Sequence, residues 1–312
     1  MKQIVLTSLI LTILCQSGAA VHAQQTTQED YTKAVPKLVS GLKSKDVEMR
    51  RQATLGFMGL CSALGSNAFA SIPPEAAKAL PKPDAFVPPL AHALRDSDNT
   101  VRIYAAGSLG YLGSEAASVV PTLIEMLHDP DPKVREAAAS ALKGIGPSAT
   151  AAVPALTEAL KDPNEGVRVV AAMALKKIGP SASAAIPALI EASKHSSPFT
   201  REAALTAIGN LGPEAESALP SLYEALMGNG LVVIKDNAAG ALGKIGEPAV
   251  PALIKALREG DSHVQYLVCN VLESMGPKAY AAIPALSELA NDPNSSVRQD
   301  AKHALKAIQG RE

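Results

Sequence analysis

Residues 120–152 read VPTLIEMLHDPDPKVREAAASALKGIGPSATAA, and this stretch with its copies decides the fold. Leu123, Met126 and Leu127 stand three and four apart and share one face of a first helix. Val134, Ala138, Ala141, Leu142 and Ile145 repeat that spacing and mark the inner face of a second helix. Asp131 suits the N-cap of the second helix. Pro132 suits its first position, where a missing N–H costs nothing and a fixed φ helps. Gly146-Pro147 ends it, because glycine turns left-handed readily and proline cannot continue a helix. A pair of short helices cannot bury its apolar faces alone, whereas stacked copies can.

Working outward, the copies are marked by Pro36, Pro88, Pro121, Pro154, Pro187, Pro220, Pro251 and Pro284, at spacings of 52, 33, 33, 33, 33, 31 and 33. An apolar residue precedes each proline and a leucine follows two later, from Leu38 to Leu286. The first spacing marks an insertion of about 19 residues within residues 62–85, rich in Pro and Gly. It reads either as a partner-binding loop or as a lid over the end of the first hairpin. The sixth and seventh units are irregular around Gly228-Asn229-Gly230, and a local change of twist is expected there. The last unit carries Arg298, Gln299, Asp300, Lys302 and Lys306, a polar set suited to a terminal cap facing water.

A period of 33 also fits two other helical repeats. Ankyrin repeats carry a Thr-Pro-Leu-His signature, absent here, and tetratricopeptide repeats need Trp, of which there is none. The apolar-Pro-x-Leu opening, the Asp-x-Asp turn, the Val-Arg start of the second helix and the Ile-Gly-Pro exit resemble the HEAT family, in the short form known from phycobilisome-lyase-type repeats. The resemblance runs from about Tyr31 to Ile308 and implies an all-α superhelix, a solenoid of about eight HEAT-like hairpins. It also implies an inter-repeat ladder between an Asp in the turn and an Arg six residues later. The matching residues are Asp96/Arg102, Asp129/Arg135, Asp162/Arg168 and Asp292/Arg298. Arg50 and Arg201 keep only the basic member, facing Ser44 and His195, and the pattern departs at Lys235 and Gln265. Because these pairs recur, they read as structural staples and not as catalytic groups.

Residues 1–23 read as a secretory signal peptide: Lys2, a short apolar core Ile4–Leu14, and Val21-His22-Ala23 before a cleavage site at Gln24. Residues 24–30 are polar and expected to be a disordered N-terminal segment; the repeat domain follows as residues 31–312. The product would be exported, to the periplasm or beyond the cell, and no later segment is read as long and apolar enough to cross a bilayer. Without the leader, 28 basic side chains face 30 acidic ones, a near-neutral balance that gives no reason to expect nucleic acid as partner.

Little is left for chemistry. Cys61 and Cys269 lie six repeats apart on second helices among apolar residues, so they read as buried free thiols. None of His92, His128, His195, His263 and His303 is followed by Glu, so the repeated His-Glu pairs with which some HEAT-like hydroxylases hold iron are missing. His92, His128 and His195 sit near first-helix C-termini, where the dipole favours them. Gly144-Ile145-Gly146 and Gly209-Asn210-Leu211-Gly212 recur as hairpin exits and are not phosphate cradles. No cofactor and no metal are expected. Lys143, Lys176, Lys177 and Lys244 read either as a basic line or as helix C-terminal lysines satisfying the dipole.

What remains is surface. The resemblance implies that second helices line the concave side; positions one and five after each Arg would then face it, and Ile103, Val169, Met173, Tyr266 and Asn270, with Tyr111 nearby, are the candidate partner-binding residues. The competing reading buries the apolar ones against the next hairpin. The sequence therefore points to a non-enzymatic scaffold for a protein partner, with neither nucleic acid nor membrane bound after cleavage. Its rivals are a lyase-like enzyme or enzyme accessory, as the resemblance allows, and a structural envelope protein.

Overall fold

The computed structural model describes residues 28–64, 83–293 and 295–310, among which all regular structure is helical. Among the described residues sixteen α-helices pair into eight hairpins. In chain order they are α1 (Gln28–Leu42), α2 (Val47–Leu64), α3 (Val87–Ala93), α4 (Asn99–Leu112), α5 (Val120–Met126), α6 (Pro132–Ile145), α7 (Val153–Ala159) and α8 (Glu165–Ile178). Then come α9 (Ile186–Ala192), α10 (Pro198–Leu211), α11 (Leu219–Met227), α12 (Val232–Ile245), α13 (Val250–Glu259), α14 (Ser262–Met275), α15 (Ile283–Leu289) and α16 (Ser295–Gln309). Residues 1–23, where a signal peptide is expected, and most of the 62–85 insertion fall outside the described residues. The chain divides into two compact units, residues 1–156 and 157–312.

The hairpin follows the local chemistry of its sequence. In α6, Asp131 is extended and its carboxylate accepts the N–H of Lys133, with Pro132 inside the first turn. At the other end Gly146 takes φ 66°, a conformation that a side chain would strain. The chain then runs through a 3-10 segment, Gly146–Ala152, that buries Ala149 and Ala152 and delivers the next proline. The same left-handed exit recurs at six further glycines. First helices are mostly only two turns, and Leu123 and Leu142 are fully buried between layers.

In the first unit α2, α4 and α6 stack side by side as one layer of second helices. Alanine and glycine permit this closeness: Gly110 on α4 lies directly against Gly144 on α6. The insertion does not interrupt the stack, because Phe57 on α2 meets Phe86, at the re-entry of the chain, edge to face at 5.9 Å with both rings buried. In the second unit α8, α10, α12, α14 and α16 form the corresponding layer. There α12 and α14 touch more sparingly than the other neighbours, which is where the irregular sixth and seventh hairpins meet. The run Glu165–Ala192 passes for a membrane span by length and apolarity, against the expectation that no later segment would. Gly179 (φ 78°) and a 3-10 turn divide it into α8 and α9, and half of its apolar window is buried in protein.

Candidate functional site

The ladder is built from the turn upward. In each regular turn the first Asp folds back on the backbone: Asp96, Asp129 and Asp162 accept the N–H groups of Asp98, Asp131 and Asn164 at 2.8–2.9 Å. The Arg six residues on donates to the backbone carbonyl of that same Asp, as Arg102 to Asp96 (2.8 Å), Arg135 to Asp129 (2.8 Å) and Arg168 to Asp162 (2.7 Å). Its side-chain counterion belongs to the next hairpin. Arg102 reaches the Asp129 carboxylate at 2.9 Å, both side chains being 13% exposed. Arg50, which the sequence left without an acidic partner, grips Asp96 with two nitrogens at 2.6 and 3.0 Å. Asp292 in the last turn and Arg298 on α16 are both half-buried.

Sequence reasoning missed a second line of rungs, to the N-cap residue two positions later. Arg51 is bidentate on Asp98 (3.0 and 2.6 Å), and Lys235, nearly buried, lies 3.4 Å from Asp261. The regular Asp-x-Asp turn was the signal that could have revealed it. Asp98 is held below the ordinary carboxylate value, first by the Arg51 hydrogen bond. For Asp96, burial pushes the carboxyl up, but the bonds from Arg50 and the Asp98 N–H outweigh it and the net shift is downward. A carboxyl depressed on folding contributes stability above its unfolded pKa, and that contribution fades as pH falls through the folded value. The thermal midpoint is therefore expected to fall steeply on acidification below about pH 4. Asp98→Asn, which keeps the cap, should flatten that fall when circular dichroism melts are run from neutral pH downward.

The candidate partner-binding residues divide by exposure. In the first unit Tyr111 is 50% exposed, while Ile103 is half-buried. In the second unit Met173 and Tyr266 are 42% and 46% exposed and Asn270 is exposed, while Val169 is half-buried. Asn270 borders a solvent-open groove of about 750 Å³ between α12 and α14, together with Asp236, Gly240, Lys244, Leu267 and Met275. The groove exists because α12 presents glycine here: a Cβ on Gly240 would meet nothing within 4 Å. His263 Nε2 and Asp236 Oδ1, 3.6 Å apart, face each other across the same two helices. Both cysteines are buried, and burial pushes each thiol up to about 12, so neither is a nucleophile at neutral pH. No group of three or more metal-ligating side chains occurs among the described residues.

Tandem helical hairpins joined by a buried ionic ladder define an α-solenoid repeat protein. The model of HEAT repeats matches residues 87–176, 153–235 and 219–306, more than half of the chain, and the chain belongs to the HEAT-repeat family. Among solved structures, an engineered protein from a structural-genomics programme is similar at 20% identity and TM-score 0.51, over 98% of this chain and 99% of that one. Importin beta is similar at 17% identity and TM-score 0.57, over 96% of this chain but 44% of its own length. Both likenesses concern the fold alone. No curated protein matches the chain.

Proposed function

We propose that the protein is an exported, non-enzymatic scaffold that holds a protein segment against its second-helix layer, with the α12–α14 groove as the principal seat. The observation that carries this reading is the combination at α14: exposed Asn270 lines an open groove of about 750 Å³ together with Gly240 and Gly243, and exposed Tyr266 precedes it by four residues on the same helix. Single exposed apolar residues need no explanation, but an amide in a preformed groove, with an exposed aromatic one helical turn away, supplies backbone hydrogen bonding and anchoring area together. The HEAT-repeat fold, which generally serves protein–protein interaction, supports the same conclusion. The leader sequence supports export.

The test is chemical cross-linking in intact source cells followed by quantitative recovery. The parent protein should enrich a specific polypeptide in the exported fraction, with a mature N-terminus at Gln24. The Tyr266→Ala/Asn270→Ala double variant, folded by circular dichroism, should lose most of that enrichment. Equal recovery by parent and variant, or retention of the leader in the cytoplasm, would defeat the reading.

A further inference from the structure

The ladder breaks at two consecutive rungs in the second unit. The side-chain counterion of each Arg sits six residues before the cation of the following second helix, as Asp96 and Asp129 show. In the fifth and sixth hairpins that position holds His195 and Asn229. His195 imitates the aspartate only towards the backbone: its Nδ1 accepts the N–H of Ser197 at 3.0 Å, which places its ring proton on Nε2. It offers Arg168 no negative charge. Arg168 donates to the Asp162 and Pro163 carbonyls, and its Nε finds only the Thr200 hydroxyl at 3.4 Å. A recess of about 410 Å³ opens at this place, lined by Arg168, His195, Lys161, Asp162 and Glu191 among others. Arg201 is worse served. It makes one long bond, 3.5 Å, to the His195 carbonyl, and its Nε is buried with no partner. The Nε of Arg102 is also unpaired, but that guanidinium already holds Asp129 and Asn99.

The same edge carries the strongest exposed apolar cluster on the helix starts. Phe199, in the first turn of α10, is 65% exposed; Leu231, Val232 and Val233, at the start of α12, are 53%, 59% and 39% exposed. Leu231 also occupies the N-cap, where Asp98, Asp131, Asn164, Ser197 and Asp261 cap their helices with side-chain oxygens. Two guanidinium groups with no carboxylate partner among the described residues, beside four apolar side chains that solvation does not explain, describe the complement of an acidic and apolar chain.

We propose that the turn edge of hairpins four to six, at Arg168, Arg201, Phe199 and Leu231–Val233, docks an extended segment of a partner protein that supplies the two missing carboxylates and buries apolar residues between them. Neighbouring second helices lie about 10 Å apart, and a polyproline II-like extended chain advances about 3.1 Å per residue with three residues per turn, so acidic residues three apart reach both rungs from one face. This surface is separate from the α12–α14 groove, and either can fail without the other.

The probe is a capped fluorescent peptide repeating glutamate, leucine and valine, compared with its glutamine counterpart by anisotropy on the full chain. The glutamate peptide should bind roughly ten-fold more tightly, with an advantage that shrinks as salt rises. His195→Asp completes one rung from within, so it should raise the thermal midpoint while weakening the peptide roughly ten-fold. Phe199→Ser should weaken it with the fold unchanged. Equal affinity for the two peptides, no binding of either, or unchanged affinity in His195→Asp overturns the proposal. So does concentration-dependent dimerisation abolished by Phe199→Ser, which would make a second copy of this chain the occupant.

Discussion

Gly144→Val is expected to destabilise the first unit by about 3 kcal/mol, and by more if the layer cannot part. The reason is contact between backbones. A Cβ at Gly144 would fall on the Gly110 carbonyl and stand 2.8 Å from the Gly110 Cα, so no rotamer change relieves it. The reciprocal position is also tight, since a Cβ on Gly110 would lie 3.1 Å from the Ala141 Cα. Helices α4 and α6 would have to separate along most of their length, giving up the packing of Leu109 and Leu142. The control is Gly240→Ala, where the added methyl meets nothing within 4 Å. There the gain in helix propensity, up to about 1 kcal/mol, should leave stability at or above the parent. Urea melts followed by circular dichroism decide the matter, and a Gly144→Val midpoint equal to the parent's would show that the two helices are not held at this distance.

Asp129→Ala is expected to cost about 2–3 kcal/mol. The aspartate has two tasks: it accepts the Asp131 N–H at 2.9 Å, and it neutralises Arg102 across the hairpin boundary at 2.9 Å. Truncation leaves the turn donor unmatched and a guanidinium that is only 13% exposed without its charge partner. Asp129→Asn separates the tasks, because the amide oxygen can still hold the turn; it should cost roughly half as much. The double variant Arg102→Met/Asp129→Ala should lie closer to the parent than Asp129→Ala does, since removing both charges avoids stranding one. A double variant that simply adds the two single losses would mean the pair does not interact.

The hairpins were legible because their punctuation is local. Proline at the helix start, Asp131 at the cap and Gly146 at the exit act within a few residues, so the residues themselves carry the information. The 3-10 segments after each exit were not legible. The tract Pro147–Ala152 opens on Pro147-Ser148, which mark a turn, but it has no helical periodicity to show a 3-10 segment, and its form is imposed by burying Ala149 and Ala152. The ladder was half legible. The family resemblance named Arg102 and Asp129 as members of an inter-repeat ladder but matched each Arg with the Asp of its own turn, and it left Arg50 without the Asp96 it holds. At the candidate site, Tyr266 and Asn270 could be chosen by register, whereas the groove beside them could not. It depends on how far α12 and α14 stand apart, a property of packing around Gly240 and Gly243. Ile103 and Val169 show the limit of register, since both are half-covered by their neighbours.

The side-chain ties between successive hairpins join residues only 26 to 47 positions apart. No closure of a long loop has to precede a native contact, so refolding should be quick and able to begin at several places along the chain. Denaturation should be correspondingly piecemeal, with amide protons near the sparsely packed α12–α14 seam exchanging ahead of those in α4 and α6.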